Sequence, residues 1–343
     1  MTSARFLELS SRYADLRVAV VGDFCLDRYF EIDPTRTEIS IETGLPVHNV
    51  TNVRCQPGGA GTILNNLVAL GLGRVAAVGC CGEDGEGFEL RRALAKQRGV
   101  SLDHFVQSVE RHTFTYSKPL VLAPGKSPEE LSRLDIKNWT PTPEPVQALL
   151  CDAFERAAAE ADAIILLDQV DLPETGVVTK RLLATVERYA TAKPGFLIVA
   201  DSRRSLRGFP PVTLKMNVAE LSALTEAGRA LEVAEVKVAA AQLARAHGRN
   251  VFVTMAERGI VGATPDGIVQ HELSLPVRGE IDIVGAGDAV TANLTAALAA
   301  GATLREALRI AMCAASLVIH QLGTTGTASV PQLREILSRE NAA

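Results

Sequence analysis

Short, uninterrupted apolar runs recur along the chain, and most are closed by Gly, Asp or Thr. They are RVAVVG at Arg17–Gly22, RVAAVG at Arg74–Gly79, AIILL at Ala163–Leu167, FLIVA at Phe196–Ala200 and VFVT at Val251–Thr254. Runs of this kind suit strands buried on both faces of a parallel sheet. Between them lie segments with helical apolar spacing: Gly58–Leu70, Glu86–Arg98, Glu144–Ala161, Pro173–Ala190 and Val233–Ala246. Two adjacent helices, about Ala286–Ala300 and Leu304–Gln321, close the pattern. Repeated βα alternation predicts an α/β fold: a doubly wound, mostly parallel sheet with helices on both faces. Two stretches, about 29–53 and 105–134, break the alternation. The first is polar, β-branched and carries Pro34 and Pro46. Both predict short strands and turns that pair into a small second sheet, a lid over the main one. No repeat, low-complexity tract or linker divides the chain, so 1–343 reads as a single domain.

Composition narrows the partners. Aromatic residues make up 4% of the chain, and the formal net charge is −5. Neither a stacking platform nor a basic field for nucleic acid is expected. An anionic small substrate would need a local basic pocket. The six cysteines form no CxxC pair and several sit in apolar runs, which predicts reduced, buried thiols and a cytoplasmic protein. No apolar run approaches the roughly 20 residues of a membrane span, so no membrane partner is expected. The six histidines show no metal-ligand spacing, and the Cys80-Cys81 pair reads as packing.

The sharpest chemical signal is Asp282-Ile-Val-Gly-Ala-Gly-Asp288, followed at once by an Ala-rich helix. Gly285 and Gly287 let backbone N–H groups approach an anion, and the helix N-terminus adds its positive dipole end. Asp288 falls in the first helical turn beside that anion site. A carboxylate there can accept a hydroxyl proton while the amides stabilise a migrating phosphoryl group. The same letters also describe a helix-capping Asp after a Gly-rich turn, and the motif alone leaves both readings open. Asn217-x-x-Glu220 is similarly double: three-residue spacing puts both side chains on one helical face, and it also suits an N-terminal capping pair.

In their order across about residues 17–335, these features resemble the PfkB/ribokinase family of sugar kinases. The resemblance implies Asp288 as catalytic base, with Gly285, Ala286 and Gly287 as the anion hole. Pro57-Gly58-Gly59-Ala60-Gly61 resembles the family's paired-glycine turn against the sugar, and Val21-Gly22-Asp23 its sugar-gripping Asp. Asn217 and Glu220 resemble the N-x-x-E pair that organises Mg2+ through water. Thr254-x-x-x-x-Gly259 resembles the nucleotide-binding turn, with Ala256 where the family usually has Gly, and Asp282 falls on the nucleotide side. ATP and Mg2+ are the implied cofactors.

Within that family, Gly22-Asp23-Phe24-Cys25-Leu26-Asp27-Arg28-Tyr29 and Leu131-Ser132-Arg133-Leu134-Asp135 resemble the D-glycero-β-D-manno-heptose 7-phosphate kinases of ADP-heptose synthesis. Asp23, Asp27, Gly58, Gly59, Thr62, Lys118 and Arg133 are then the expected substrate contacts. Lys118, Arg133, Arg203 and Arg204 are candidates for a substrate phosphate. Departures fall on Thr62 in place of Asn, Glu38 in place of a lid Arg, Met312 in place of Asn, and Asp201-Ser202-Arg203-Arg204 in place of a DPKG-like segment. Two other readings fit the same letters: a nucleoside kinase on this fold, and a non-catalytic sugar or nucleotide sensor. The family's lid strands often pair between subunits, which implies a homodimer.

Overall fold

A computed structural model describes residues 1–340. The chain begins with helix α1 (Ser3–Ser11), strand β1 (Arg17–Gly22), and the long strands β2 (Phe24–Ile39) and β3 (Pro46–Gly59). Helix α2 (Ala60–Ala69), β4 (Arg74–Gly82), α3 (Gly85–Ala95), β5 (Val100–Ser101) and β6 (Phe105–Ser108) follow. Next come β7 (Thr115–Val121), β8 (Glu129–Glu130), β9 (Leu134–Ile136), α4 (Glu144–Glu160), β10 (Ala163–Asp168) and α5 (Lys180–Ala192). Then β11 (Leu197–Ser202), β12 (Thr213–Asn217), α6 (Val218–Leu224), α7 (Val233–His247) and β13 (Val251–Thr254) alternate. Strands β14 (Ile260–Ala263) and β15 (Val269–Glu272) lead to helices α8 (Ala286–Ala299), α9 (Leu304–Val318) and α10 (Val330–Glu340).

The main sheet has the order β15-β14-β13-β12-β11-β10-β1-β4-β5, with β6 paired to β4. It is parallel from β13 through β4 and antiparallel only at β14 and β15. Its central strands carry no polar face because both faces are covered: all six residues of β10 are buried. Helices α1–α3 and α8–α10 pack on one side and α4–α7 on the other, each side with its own apolar cluster. Helix α8 buries nine residues, mostly Ala and Thr. Such small side chains let it lie close to α2 and the sheet. The strand order reverses at β1, whose neighbours are β4 and β10. That switch point leaves a crevice at the strand C-terminal ends, where Asp23 and Gln169 begin the following loops.

The second sheet has the order β3-β2-β7-β8, with β9 also on β7. It differs from the expected stretches at all four edges. Strand β2 starts at Phe24 and β3 runs to Gly59, so Gly58 and Gly59 end a strand and the helix starts at Ala60. Residues 105–108 instead join the main sheet, where Phe105 pairs with Gly79 and its ring packs edge-on against Phe24 at 5.2 Å. At the far end the sheet reaches Ile136. The helix expected from Pro173 starts only at Lys180, capped by Thr179. The preceding loop is held open because Asp23 takes its Val177 N–H.

Candidate active site

Helix α8 opens on Gly285, whose φ of 81° is a left-handed turn. A Cβ there would sit 3.0 Å from Thr325 Cγ2 and 3.4 Å from Thr62 Cγ2, so glycine is required on both conformational and spatial grounds. Asp282 braces this turn: its Oδ1 accepts the Val284 N–H at 3.0 Å, and its own N–H bonds Ile319 O. Asp288 then lies in the first turn of α8. It is half-buried, enclosed by protein yet open to the crevice. Burial pushes its carboxyl up to about 7, Asp201 and Asp27 add to the rise, and Lys215 opposes it. Among the described residues no group donates a hydrogen bond to this carboxylate.

Facing Asp288 is the inner face of the small sheet. Asp27 is buried there, with Lys118 Nζ 3.2 Å from its Oδ1. Lys118 also reaches Tyr29 Oη at 3.4 Å. Gly58 is the partner of Cys25 across β2 and β3. A Cβ on Gly58 would come within 2.7 Å of Asp27 Oδ2, so the paired glycines keep the Asp27 carboxylate clear. Gly59 has φ 57° and approaches the Asp23 carbonyl. Thr62 is buried in α2 with its methyl toward Gly285.

Asp23, expected to grip the sugar, is already engaged by the backbone. It is 3% exposed, and its oxygens accept the Gln169 N–H at 2.8 Å and the Val177 N–H at 2.6 Å. Those bonds tie β1 to the loop after β10. The carboxylate at this strand edge that faces Asp288 is Asp27, two turns of the β alternation further on. Arg133 and Arg204 are also already engaged: Arg133 forks onto Asp135 at 2.7 and 2.8 Å, and Arg204 holds the buried Asp168 at 2.8 Å.

On the other flank of α8, Asn217 and Glu220 form a reciprocal cap. Asn217 Oδ1 accepts the Glu220 N–H at 2.9 Å, and Glu220 Oε2 accepts the Asn217 N–H at 2.7 Å. Burial and Asp201 raise the Glu220 pKa, against the Asn217 N–H and Lys215. Thr254 lies beside Asn217 in register and donates to Met216 O at 3.4 Å. The turn after it ends at Gly259, φ 88°, where a Cβ would strike Glu272 O. Ala256 in this turn has φ 52°, the backbone state for which glycine is the usual occupant.

Sequence reasoning missed Lys215. It is 5% exposed on β12, paired with Asp201 at 2.7 Å, and its Nζ lies 3.3 Å from where a Gly287 Cβ would be. Burial opposes its charge, but Asp201 and Asp288 keep its pKa above the ordinary value. Thr291 also donates to Asp201, at 3.1 Å. The signal was present: one Lys inside the otherwise buried run Thr-Leu-Lys-Met. Gln56 was missed as well. It binds Thr325 Oγ1, Thr324 Oγ1 at 3.2 Å and Tyr29 Oη at 3.2 Å, fastening β3 to the 322–327 loop.

Among the described residues no group of three or more His, Cys, Asp or Glu side chains converges on a metal position, and no helix is long and apolar enough to cross a membrane. All six cysteines are free thiols, five of them buried.

The fold resembles a putative phosphofructokinase from Staphylococcus aureus, with a TM-score of 0.71 at 17% identity over 94% of this chain and 97% of that one. It also resembles ribokinase from Arabidopsis thaliana solved with ribose and ATP, with a TM-score of 0.64 at 21% identity over 94% of this chain and 98% of that one. In sequence, the chain is 32% identical over 333 residues to the bifunctional protein HldE of Azorhizobium caulinodans, covering 95% of this chain and 65% of the relative. It is likewise 32% identical over 338 residues to HldE of Hyphomonas neptunium, covering 98% of this chain and 66% of the relative. It therefore spans just under two thirds of the length of these relatives. The pfkB carbohydrate kinase profile matches residues 137–331, more than half of the chain. The chain belongs to the pfkB family of carbohydrate kinases.

Proposed function

We propose that the protein transfers the γ-phosphoryl group of ATP to a sugar hydroxyl, with Asp288 as general base. The observation that carries this reading is the pairing of an unengaged carboxylate with a ring of helix-start amides. Asp288 has a pKa near 7 and no donor, and it faces Asp27 across the crevice. Asp27, fixed by Lys118, orients the acceptor by taking its hydroxyl protons, and Asp288 removes the proton from the reacting oxygen. The Gly285–Gly287 amides and Lys215 meet the negative charge of the phosphoryl group. Glu220 lies beside Lys215 and Asp201 and fits an outer contact to hydrated magnesium, whose remaining ligands come from phosphates and water. Bound magnesium supplies neutralisation of phosphate charge. The small sheet, latched by Gln56, excludes water from the crevice. The HldE relatives, and the resemblance to heptose 7-phosphate kinases, make heptose 7-phosphate the first acceptor to try.

Replacing Asp288 by Asn should lower kcat by roughly 10²–10⁴-fold while ATP and sugar still bind, as measured by calorimetry. Retained turnover in that variant removes Asp288 from the mechanism. The β2–β3 hairpin of the small sheet exposes Ile39, Ile41, Leu45, Val50 and Val53. This apolar edge supports a homodimer through the lid, and sedimentation showing only monomer at micromolar concentration refutes that dimer. The free thiols support residence in the reducing cytoplasm.

A further inference from the structure

Arg111 and Lys215 are the two buried Arg or Lys side chains among the described residues. Lys215 has Asp201 at 2.7 Å. Arg111 has no carboxylate partner. Its guanidinium donates to Thr140 O at 3.1 Å and to Thr175 O, and its Nε is buried without a partner. Burial lowers its pKa, against the opposing pull of Cys80 and Asp23. A guanidinium buried without a counter-charge is costly, and what this one secures is two carbonyls on two segments beside one cavity. The cavity is lined by Asp23, Cys25 and Tyr116, the strand partner of Asp27, so it lies at the acceptor end of the crevice. Asn138 and Trp139 form one further wall, and residues of the stretch 169–175 another. Arg111 stands behind both. The second wall is strained: Glu174 has φ 65°, the left-handed region. Thr142 holds it there, its N–H donating to Glu174 O at 2.7 Å and its Oγ1 to Gly176 O at 2.7 Å. Asp23 takes the Val177 N–H at 2.6 Å, and a Cβ on Gly176 would lie 2.4 Å from Asp23 Oδ1. The 175–177 turn is thus gripped between a cation on the Thr175 carbonyl and a carboxylate on the Val177 amide. On the first wall, Asn138 is bonded in both directions to the backbone of His112, the neighbour of Arg111, at 3.0 and 2.8 Å.

We propose that Arg111 is a positioning residue for the acceptor: it fixes the two walls of the cavity beside Asp27 relative to each other, so that the sugar meets a preformed surface. The proposal deepens the kinase reading and rests on it. The planar fork of an arginine can hold two carbonyls on different segments in fixed directions, whereas an ammonium has no such fork. Arg111 lies in the connection from β6 of the main sheet to β7 of the small one, so its grip is placed where the two sheets meet. Asp288 and the Gly285–Gly287 turn belong to the start of α8, and Lys215 to β12. Arg111 bonds to none of them. Without the guanidinium the sugar itself must order the walls as it binds, and that cost falls on acceptor affinity. The phosphate end keeps its geometry.

Two measurements test it. The first is steady-state kinetics with heptose 7-phosphate, D-fructose 6-phosphate or D-ribose, whichever the wild type turns over best. Arg111→Met should raise the KM for that acceptor by about tenfold or more, with the KM for ATP within about twofold and kcat lowered by less than about threefold. Arg111→Lys should fall between Met and wild type, since an ammonium can serve one carbonyl but not the fork. Thr142→Val leaves the charge in place and frees one bond of the same turn, and should raise the acceptor KM by about threefold. If Arg111→Met does not fold, the Lys and Val variants carry the comparison. A merely structural arginine gives a different result: lost fold lowers the amount of active enzyme, and so the apparent kcat, with neither KM changed. That pattern, or equal rises in both KM values, overturns the proposal and leaves the kinase reading standing. The second measurement needs no turnover. Amide hydrogen exchange over 169–179 should quicken by about tenfold in Arg111→Lys, with β12 and α8 unchanged. If the wild type phosphorylates none of the three acceptors, the kinase reading fails and exchange decides the clamp alone. Equal exchange in variant and wild type, or an increase spread over the whole chain, overturns it.

Discussion

Asp23 follows β1 and Asp288 opens α8, and burial pushes both carboxyls up to about 7. Their neighbours differ. Beyond burial, Asp23 is raised by Asp168 and held down by backbone N–H groups of the loop after β10. Asp288 is raised by Asp201 and Asp27 and held down by an ammonium, Lys215. Two short hydrogen bonds occupy the Asp23 oxygens, whereas the Asp288 oxygens face the crevice without a donor. A perturbed pKa is thus a poor guide to chemistry by itself. What separates the chemical carboxylate from the structural one is the set of lone pairs left over after folding.

The largest expected effect comes from removing the ammonium that distinguishes the Asp288 environment. Lys215→Met leaves Asp201 buried without its partner, and breaking one side of a buried pair costs about 3–5 kcal/mol. Denaturant titration should show that loss. Lys215 also holds the Asp288 pKa down, so the rising limb of kcat against pH, expected near pH 7 in the wild type, should move to higher pH in this variant. An unmoved limb would mean that Lys215 supports the fold and leaves Asp288 untouched.

The next effect compares the two carboxylates directly. Each has a folded pKa of about 7, against an ordinary value of 3.8. Between those values the unfolded chain is ionised and the folded protein keeps the proton, so stability falls as pH rises. The slope is at most about 1.4 kcal/mol per pH unit for each group. Above pH 7 the cost is complete, and below about pH 4 it is absent. Asp288→Asn removes this titration at no loss of hydrogen bonds, so the variant should melt higher than wild type at pH 8, with the gap closing toward pH 4. Asp23→Asn also removes the titration but sets an amide N–H₂ against a backbone N–H, a loss of about 1–3 kcal/mol. Its melting temperature should fall at pH 4, where the titration gain is nearly absent. If both variants shift together at both pH values, the distinction between the two carboxylates fails.

Much of the frame was legible because burial on both faces writes itself as apolar runs. Arg17–Gly22 and Val251–Thr254 match their strands at both ends, and the turn before Asp288 follows from its two glycines. Which of the two N-terminal carboxylates is tied up by backbone amides was not legible. Asp23 and Asp27 both stand near a strand end, and only tertiary contacts show that Asp23 is taken by amides about 150 residues away in sequence. The late start of α5 has the same origin: helical spacing from Pro173 is overridden by the demand of Asp23 for the Val177 N–H. Lys215 and Gln56 acquire their meaning from partners on other elements, Asp201 and the 324–325 threonines, which no local pattern announces.

The smallest effect tests whether the unengaged state of Asp288 depends on the small sheet staying shut. Gln56 joins β3 to Thr324 and Thr325 and to Tyr29 of the neighbouring strand. Gln56→Ala removes those bonds at a net cost of about 1 kcal/mol, within a latch between two parts that each keep their own packing. The melting temperature should therefore move little. The consequence should appear in water access: ATP hydrolysis without sugar should rise relative to sugar-dependent transfer, because a looser sheet admits water to the carboxylate that otherwise waits for a hydroxyl. Cleavage by a protease within 40–45, between β2 and β3, should also quicken. The same substitution placed on Asp288→Asn should produce no hydrolysis, since the base that would activate the water is gone. Hydrolysis that rises equally in both backgrounds would show that the leak bypasses Asp288, and the contrast between a structural and a chemical carboxylate would lose its functional half.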